Sequence, residues 1–233
     1  MIPEHAFHIN KKNIQQNFFY LDKSESHHAA NVLRLSLGES IILLDGMGNG
    51  YFAKIDNLDS EHVSGSIQKN IKNLGENKHL LHIAPGIIKK HRFELLLEKV
   101  TELGVNEIHP LIMKNSIKKT INMERCKKII TSAAKQCRRS FFPIIHQPKT
   151  LSSLLNNRNN FNYFVGRKDS VQKIRFLDFK KNDPSCFIIG PEGGFAKTET
   201  DLMKSKNVVQ FSLGNRRLRS ETAALAAIAT HII

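Results

Sequence analysis

The chain has 233 residues, 40% of them hydrophobic, which is enough to bury a core in one large domain or two small ones. It contains no uninterrupted apolar run long enough to cross a bilayer, and Met1-Ile-Pro-Glu-His lacks the basic and apolar regions of a secretory leader, so a cytoplasmic protein is expected. The three scattered cysteines, Cys126, Cys137 and Cys186, argue against a disulfide framework, and the formal charge of +14 favours a polyanionic partner such as a nucleic acid over a mere compositional bias towards basic residues.

In chain order, Ser26–Arg34 reads as a short helix, and Ser40–Leu44, Tyr51–Ile55 and His62–Ile67 as strands divided by turn clusters such as Asp45-Gly-Met-Gly-Asn-Gly50. A small β-rich domain, a barrel by its strand spacing, is therefore expected first. The polar stretch Lys69–His79 reads as a linker. Strands then alternate with helices: Leu80–Ala84, Glu107–Ile112, Tyr163–Val165, Cys186–Ile189 and Val208–Leu213 are the strand candidates. That alternation implies an α/β domain with a largely parallel sheet. The boundaries are expected at 1–72 and 73–233.

Phe93, Leu96, Leu97, Val100 and Leu103 recur at helical spacing and end at Gly104, a suitable residue for the position after a helix. A second helix carries an apolar stripe of Cys126, Ile129, Ile130, Ala133, Ala134 and Cys137. Its other side carries Lys127, Lys128, Lys135, Arg138 and Arg139. With no acid between Arg125 and Arg139, this face is either simply solvated or a phosphate-contacting surface.

The chemistry-bearing segment is 186–233. Cys186-Phe-Ile-Ile-Gly-Pro-Glu-Gly-Gly-Phe195 is an apolar strand running into a glycine-rich loop, and Thr198 reads as the N-cap of the next helix. Phe195-Ala196 stands where a phosphate-binding loop needs Lys and Ser or Thr, and no G-x-G-x-x-G is present. Glu192 inside the loop would repel phosphate and suits a cationic ligand. A second strand leads to Gly214, to Arg216, Arg217 and Arg219, and to Ser220-Glu-Thr at the start of an alanine-rich helix expected to be buried. Arginine is rarely buried unpaired, so the cluster is either a salt-bridge and capping device, with Glu221 as one partner, or a site. His27-His28 and His79-x-x-His82 have no acidic or cysteine partner at ligand spacing, and no metal site is expected.

Gly190-Pro-Glu-Gly-Gly-Phe195 together with Leu213-Gly-Asn-Arg-Arg-Leu-Arg-Ser-Glu-Thr-Ala223 resembles the bacterial RsmE family, methyltransferases of the SPOUT class. His28–Arg34, Leu44-Asp-Gly46, Glu98–Val105 and Ala133–Arg139 with Pro143 extend the resemblance over most of the chain. Lys135, Asn215, Arg217 and Ser220 depart from the family pattern. The resemblance implies a PUA-like β-barrel followed by an α/β SPOUT domain with a C-terminal trefoil knot, and a homodimer. It implies methyl transfer from S-adenosylmethionine to N3 of a uridine in 16S ribosomal RNA, free or in the small subunit. Cofactor-binding residues are then Ile189, Gly190, Glu192, Gly193, Gly194, Leu213, Gly214, Leu218, Arg219 and Thr222. Arg219 and Arg216 would stabilise negative charge on the uracil, and Glu221, ahead of Glu192, would take the N3 proton. RNA contacts are expected from Arg34, Lys128, Lys135, Arg138 and Arg139. Two rival activities remain at this point: ribose 2′-O-methylation, and non-catalytic RNA binding in ribosome assembly.

Overall fold

The computed structural model describes residues 3–157, 161–174 and 183–232. Met1 and Ile2, on which the reading of the chain's start partly rested, lie outside them. The chain forms two compact units, one of 1–76 with 131–142 and one of 77–130 with 143–233. The expected boundary at 72/73 thus moves to 76/77, and 131–142, expected in the second domain, group with the first.

The first unit is built on a six-stranded sheet. Its strands are β1 (Ala6–His8), β2 (Ile14–Gln15), β3 (Phe18–Tyr20), β4 (Ser40–Leu44), β5 (Asn49–Leu58) and β6 (Val63–Lys72). They lie in the order β1-β4-β5-β6-β3-β2, antiparallel except for β1 on β4. Register shifts between Phe52 and Ala53 and between Ile55 and Asn57 bend the β5–β6 ribbon. Inward residues, among them Phe7, Phe19, Ile41, Leu43 and Ile55, make the core. Part of the expected linker is strand: Lys69–Lys72 pair with Asn49–Phe52. Their side chains face solvent, so the segment is polar although its backbone is in the ladder. The expected helix 26–34 starts earlier, as α1 (Lys23–His27) capped by Asp22, and widens into a π turn over His28–Val32; Arg34 follows, exposed, at φ +54°.

The second unit carries an all-parallel sheet of β7 (Leu81–Pro85), β8 (Glu107–Ile108), β10 (Ile144–Ile145), β12 (Asn162–Gly166), β13 (Ser185–Ile189) and β14 (Val209–Phe211), in the order β10-β8-β7-β13-β12-β14. A separate pair joins β9 (Leu111–Ile112) to β11 (Lys149–Thr150). The expected single strand Glu107–Ile112 is broken because Pro110 has no N–H to give to a ladder. β7 and β13 are buried at every residue, as a strand covered on both faces must be. One face packs under α6 (Ser220–Ile232), against which α2 (Lys90–Glu102) lies. The other packs Ala84, Cys186 and Ile188 against Leu151 and Leu154 of α4 (Leu151–Asn156) and Met203 of α5 (Lys197–Ser205).

Ala196, rather than Thr198, is the N-cap of α5. Alanine has no side-chain acceptor, so Glu199 does the work: its Oε2 accepts from the Ala196 N–H at 2.8 Å and its Oε1 from the Lys114 N–H at 2.8 Å. The helix α6, expected to be wholly buried, hides Ala224, Ala227 and Ile228 and leaves Leu225, Ala226 and Ala229 half-buried. Among the described residues no helix is long and apolar enough to cross a membrane.

The helix α3 (Met123–Gln136) contains the division between the units. Its expected stripe is present, with Cys126, Ile130, Ala133 and Ala134 buried. The expected RNA-facing role of Arg139 is corrected. Its side chain is 2% exposed and its Nη2 donates to Glu76 Oε2 at 2.8 Å. The same carboxylate accepts from the Phe141 N–H at 2.9 Å, so Arg139 sits in a satisfied interior network. Lys135 is also engaged, its Nζ 2.7 Å from Glu25 Oε1, with both side chains mostly buried. Arg138, at φ +61°, donates to the Glu4 carbonyl at 3.2 Å. Of the five expected RNA-contacting residues, only Arg34 and Lys128 are fully exposed.

Candidate active site

The C-terminal ends of β12, β13 and β14 open on a cavity of about 550 Å³, a size that suits a ligand of nucleoside class. The first glycine loop forms one wall. Gly194 has φ +69°, a conformation that a side chain would strain. A Cβ on Gly193 would sit 2.9 Å from that of Asn115, whose amide donates to the carbonyls of Gly193 and Gly194 at 3.2 Å each. The close approach therefore needs glycine, and Asn115 holds the loop's shape. The second loop, Leu213–Arg219, forms the opposite wall, and Gly214 lies at φ +110°. The two loops are tied together by Ser220 Oγ, which donates to the Gly190 carbonyl at 2.7 Å.

Ile189, Gly190, Glu192, Gly193, Gly194, Leu213, Gly214, Leu218 and Arg219 all line this cavity, and so does Arg216. Thr222 is exposed on α6 and is not among the lining residues. Glu221 is buried and likewise outside the lining, so of the two carboxylates it is Glu192 that faces the cavity. Among the described residues Glu221 forms no ion pair with Arg216, Arg217 or Arg219. Arg92 of α2 lies between the two acids, with Nη1 3.4 Å from Glu192 Oε1 and Nε 3.6 Å from Glu221 Oε1. The second oxygen of each carboxylate is buried with no hydrogen-bond partner among the described residues. Arg92 is thus shared by two carboxylates, of which Glu192 is an acidic group in a lining that Arg167, Lys168, Arg216, Arg217 and Arg219 otherwise make basic. Arg216, Arg217 and Arg219 are exposed and form no ion pair among the described residues.

A third strand end contributes what the sequence reading missed. Gly166 closes β12, and Arg167, Lys168 and Asp169 continue along the cavity. The guanidinium of Arg167 binds Asp169 through two hydrogen bonds, 2.9 and 2.7 Å, and Thr200 Oγ1 at 3.0 Å. The paired guanidinium holds the Asp169 carboxyl below the usual carboxylate range. A glycine directly after the strand was the one local signal, shared with the other two loops. Arg92 carried none, because it lies a hundred residues from its partners on an otherwise ordinary helix.

One further cluster contradicts an expectation. His82 does have an acidic neighbour: Glu107 Oε2 lies 3.8 Å from His82 Nδ1, 3.4 Å from His109 Nε2 and 2.7 Å from His146 Nε2. Glu107 and His109 are two residues apart, but His82 and His146 come from other segments, so no sequence spacing could display the whole cluster.

Three strand ends of a parallel α/β sheet, two of them continued by glycine loops, thus surround one cavity walled by carboxylates and arginines, the usual place for a ligand in such a sheet. The profile of the RNA methyltransferase domain matches residues 75–232, and that of the RNA methyltransferase PUA domain matches residues 21–68. Ribosomal RNA small subunit methyltransferase E of Rickettsia conorii is 32% identical over 206 residues, 87% of this chain and 84% of its own. The Mesomycoplasma hyopneumoniae protein of the same name is 30% identical, covering 95% and 96%. The crystal structure of the Neisseria gonorrhoeae methyltransferase E bound to S-adenosyl methionine superposes with a TM-score of 0.88 at 26% identity, covering 98% and 96%. A Legionella pneumophila structure with bound SAM gives 0.86 at 27%. The chain belongs to the ribosomal RNA small subunit methyltransferase E family, and its fold is the family's α/β methyltransferase domain with a PUA-like domain.

Proposed function

We propose that this protein transfers a methyl group from S-adenosylmethionine to N3 of a uridine in 16S ribosomal RNA, in the cytoplasm. The observation that carries this reading is the cavity itself, lined by two glycine loops, Glu192 and the arginines Arg216 and Arg219, in a chain of this family. The donor set fits the cofactor: backbone at Gly190–Gly194 and Leu213–Leu218 can lie against a flat nucleoside, and the carboxylates complement its positive charge. When bound, S-adenosylmethionine supplies an electrophilic methyl carbon on a sulfonium.

The chain's own residues then have three tasks. The loops orient the reactants, the contribution with the largest capacity, roughly 7–11 kcal/mol. The Glu192 carboxylate accepts the N3 proton; it is preferred to Glu221 because its residue lines the cavity, while Glu221 acts through Arg92. Arginine stays protonated and cannot be the base, so Arg219 and Arg216 stabilise the charge on the uracil oxygens. Thr222 is assigned to the cofactor only through the resemblance.

The chain is further proposed to form the trefoil knot, its C-terminal segment passing through a loop of the methyltransferase domain. The Ser220–Gly190 bond, which ties the start of α6 to the first glycine loop, supports this. A homodimer is proposed through the half-buried apolar face of α6. RNA contacts are assigned to Arg34 and Lys128, with Lys135 and Arg138 in supporting roles. Mapping methylated bases in 16S ribosomal RNA from cells with and without the protein tests the reaction. Loss of a single N3-methyluridine supports it, and loss of a ribose methyl or no change overturns it.

A further inference from the structure

The cluster around Glu107 has no part in the chemistry above. His82 is the second residue of β7, and the register sets Glu107 of β8 directly beside it. His109 follows two residues on, on the same face of the sheet, and His146 lies next to it after β10. This is the early part of the strands, away from the glycine loops at their C-terminal ends.

The arrangement leaves polar atoms unaccounted for. His82 is 3% and His109 1% exposed. All four of their ring nitrogens are buried without a hydrogen-bond partner among the described residues. A neutral imidazole carries one N–H and one lone pair, and buried groups of this kind are normally satisfied. Among the described residues Glu107 is hydrogen-bonded to His146, whose Nε2 lies 2.7 Å from its Oε2. Phe161 stacks on His82 at 4.5 Å and His146 on His109 at 4.3 Å, so the rings are held in place. Burial pushes the His109 imidazole down to about 3, with His146, Lys149 and His82 adding to it, and burial likewise lowers His82. A neutral imidazole at either position has a lone pair to give.

We propose that His82, Glu107 and His109 bind one transition-metal ion, zinc by the chemistry of the donors, with the fourth tetrahedral position left to a water, as a tie between β7 and the β8 edge of the sheet. One ligand atom from each residue lies within 4.8 Å of the other two. Tetrahedral zinc with bonds of about 2.0–2.2 Å sets its ligand atoms roughly 3.4 Å apart. The 3.4 and 3.8 Å separations from Glu107 Oε2 match that spacing without a change of backbone. Two imidazoles and a carboxylate suit zinc better than calcium or magnesium, which require mostly oxygen. His146 then holds the ligating carboxylate from outside, as such carboxylates usually are held. Its side chain is 35% and that of Glu107 29% exposed, which leaves a path for the ion. Lys149, close enough to lower His109, opposes a cation, and the Glu107 charge offsets it.

The test uses the full-length protein stripped with a chelator and titrated with Zn²⁺ against a chromophoric competitor, alongside Co²⁺ absorption spectra and thermal melts. One Zn²⁺ per chain, a tetrahedral Co²⁺ spectrum and a raised Tm are expected. His146→Ala should weaken binding about 10–100-fold, and Glu107→Gln by more than that. Glu107→Gln keeps the side chain's shape and is half-exposed, so it tests the ligand without emptying the core; His109→Phe is the second variant. S-adenosylmethionine binding by Glu107→Gln should equal that of the wild type, which separates this site from the proposed methyl transfer. No uptake of zinc by the wild type, or wild-type affinity in both variants, overturns the proposal.

Discussion

Two arginine clusters look alike along the chain and differ entirely in the fold. Arg138-Arg139 ends the basic helix, and Arg216, Arg217 and Arg219 follow a strand. In the first cluster Arg139 is buried and its fork is spent on Glu76. In the second, all three side chains are exposed, and Arg216 and Arg219 line the cavity without an internal ion pair among the described residues. A guanidinium taken out of water must be paired, and once paired it is structural; one left at a cavity rim keeps its donors for a ligand. Charge alone therefore does not assign a role, and burial does.

Replacing one member of each cluster should give opposite results. Arg139→Leu strands Glu76 inside the protein and should cost about 3–5 kcal/mol of stability, read by denaturant unfolding. A loss below about 1 kcal/mol would mean that Arg139 is not the interior residue described. Arg219→Ala should instead lower methyl transfer about 10²–10³-fold while unfolding shifts by no more than about 0.5 kcal/mol. Near-normal turnover would remove it from the mechanism.

The contrast between buried and exposed charge sharpens further at the lysines. Lys135→Glu places a second carboxylate against Glu25 and should lower the Tm measurably. Lys128→Glu, on the exposed face of α3, should leave the Tm alone, weaken RNA binding evenly across sequences and reduce its salt slope by about 1. Equal Tm values for the two variants would dissolve the distinction. A last effect comes from acid. Folded His109 is held at about 3, against 6.5 for the unfolded side chain, and His82 is lowered as well. Between those values the unfolded chain binds the extra protons. In metal-free protein the stability should be whole above about pH 6.5 and decline as the pH falls towards 3. His109→Phe should flatten that slope.

Much of the fold was legible because its signals are local. The apolar run of β13 demands burial on both faces, the 3.6-residue spacing of Phe93 to Val100 makes α2 amphipathic, and Gly194 and Gly214 mark backbone that other residues would strain. Local chemistry also misled. Thr198 is a good cap by type, but the Glu199 carboxylate and its tertiary partner Lys114 put the cap at Ala196. The polar Lys69–Lys72 looked like a linker, yet β5 is long enough to pair with it.

What the sequence determined by itself was the order of strands and helices, the two glycine loops and the family motif, each carried by residues adjacent in the chain. Only the tertiary structure decided which charges are used internally. It brought Arg92 between Glu192 and Glu221, sent Arg139 to Glu76, added Arg167 and Asp169 to the cavity wall, and gathered His82, Glu107, His109 and His146 from three strands. The physical reason is the same in each case. A parallel sheet sets residues side by side that are tens of positions apart, and the burial that follows fixes which polar groups must find one another.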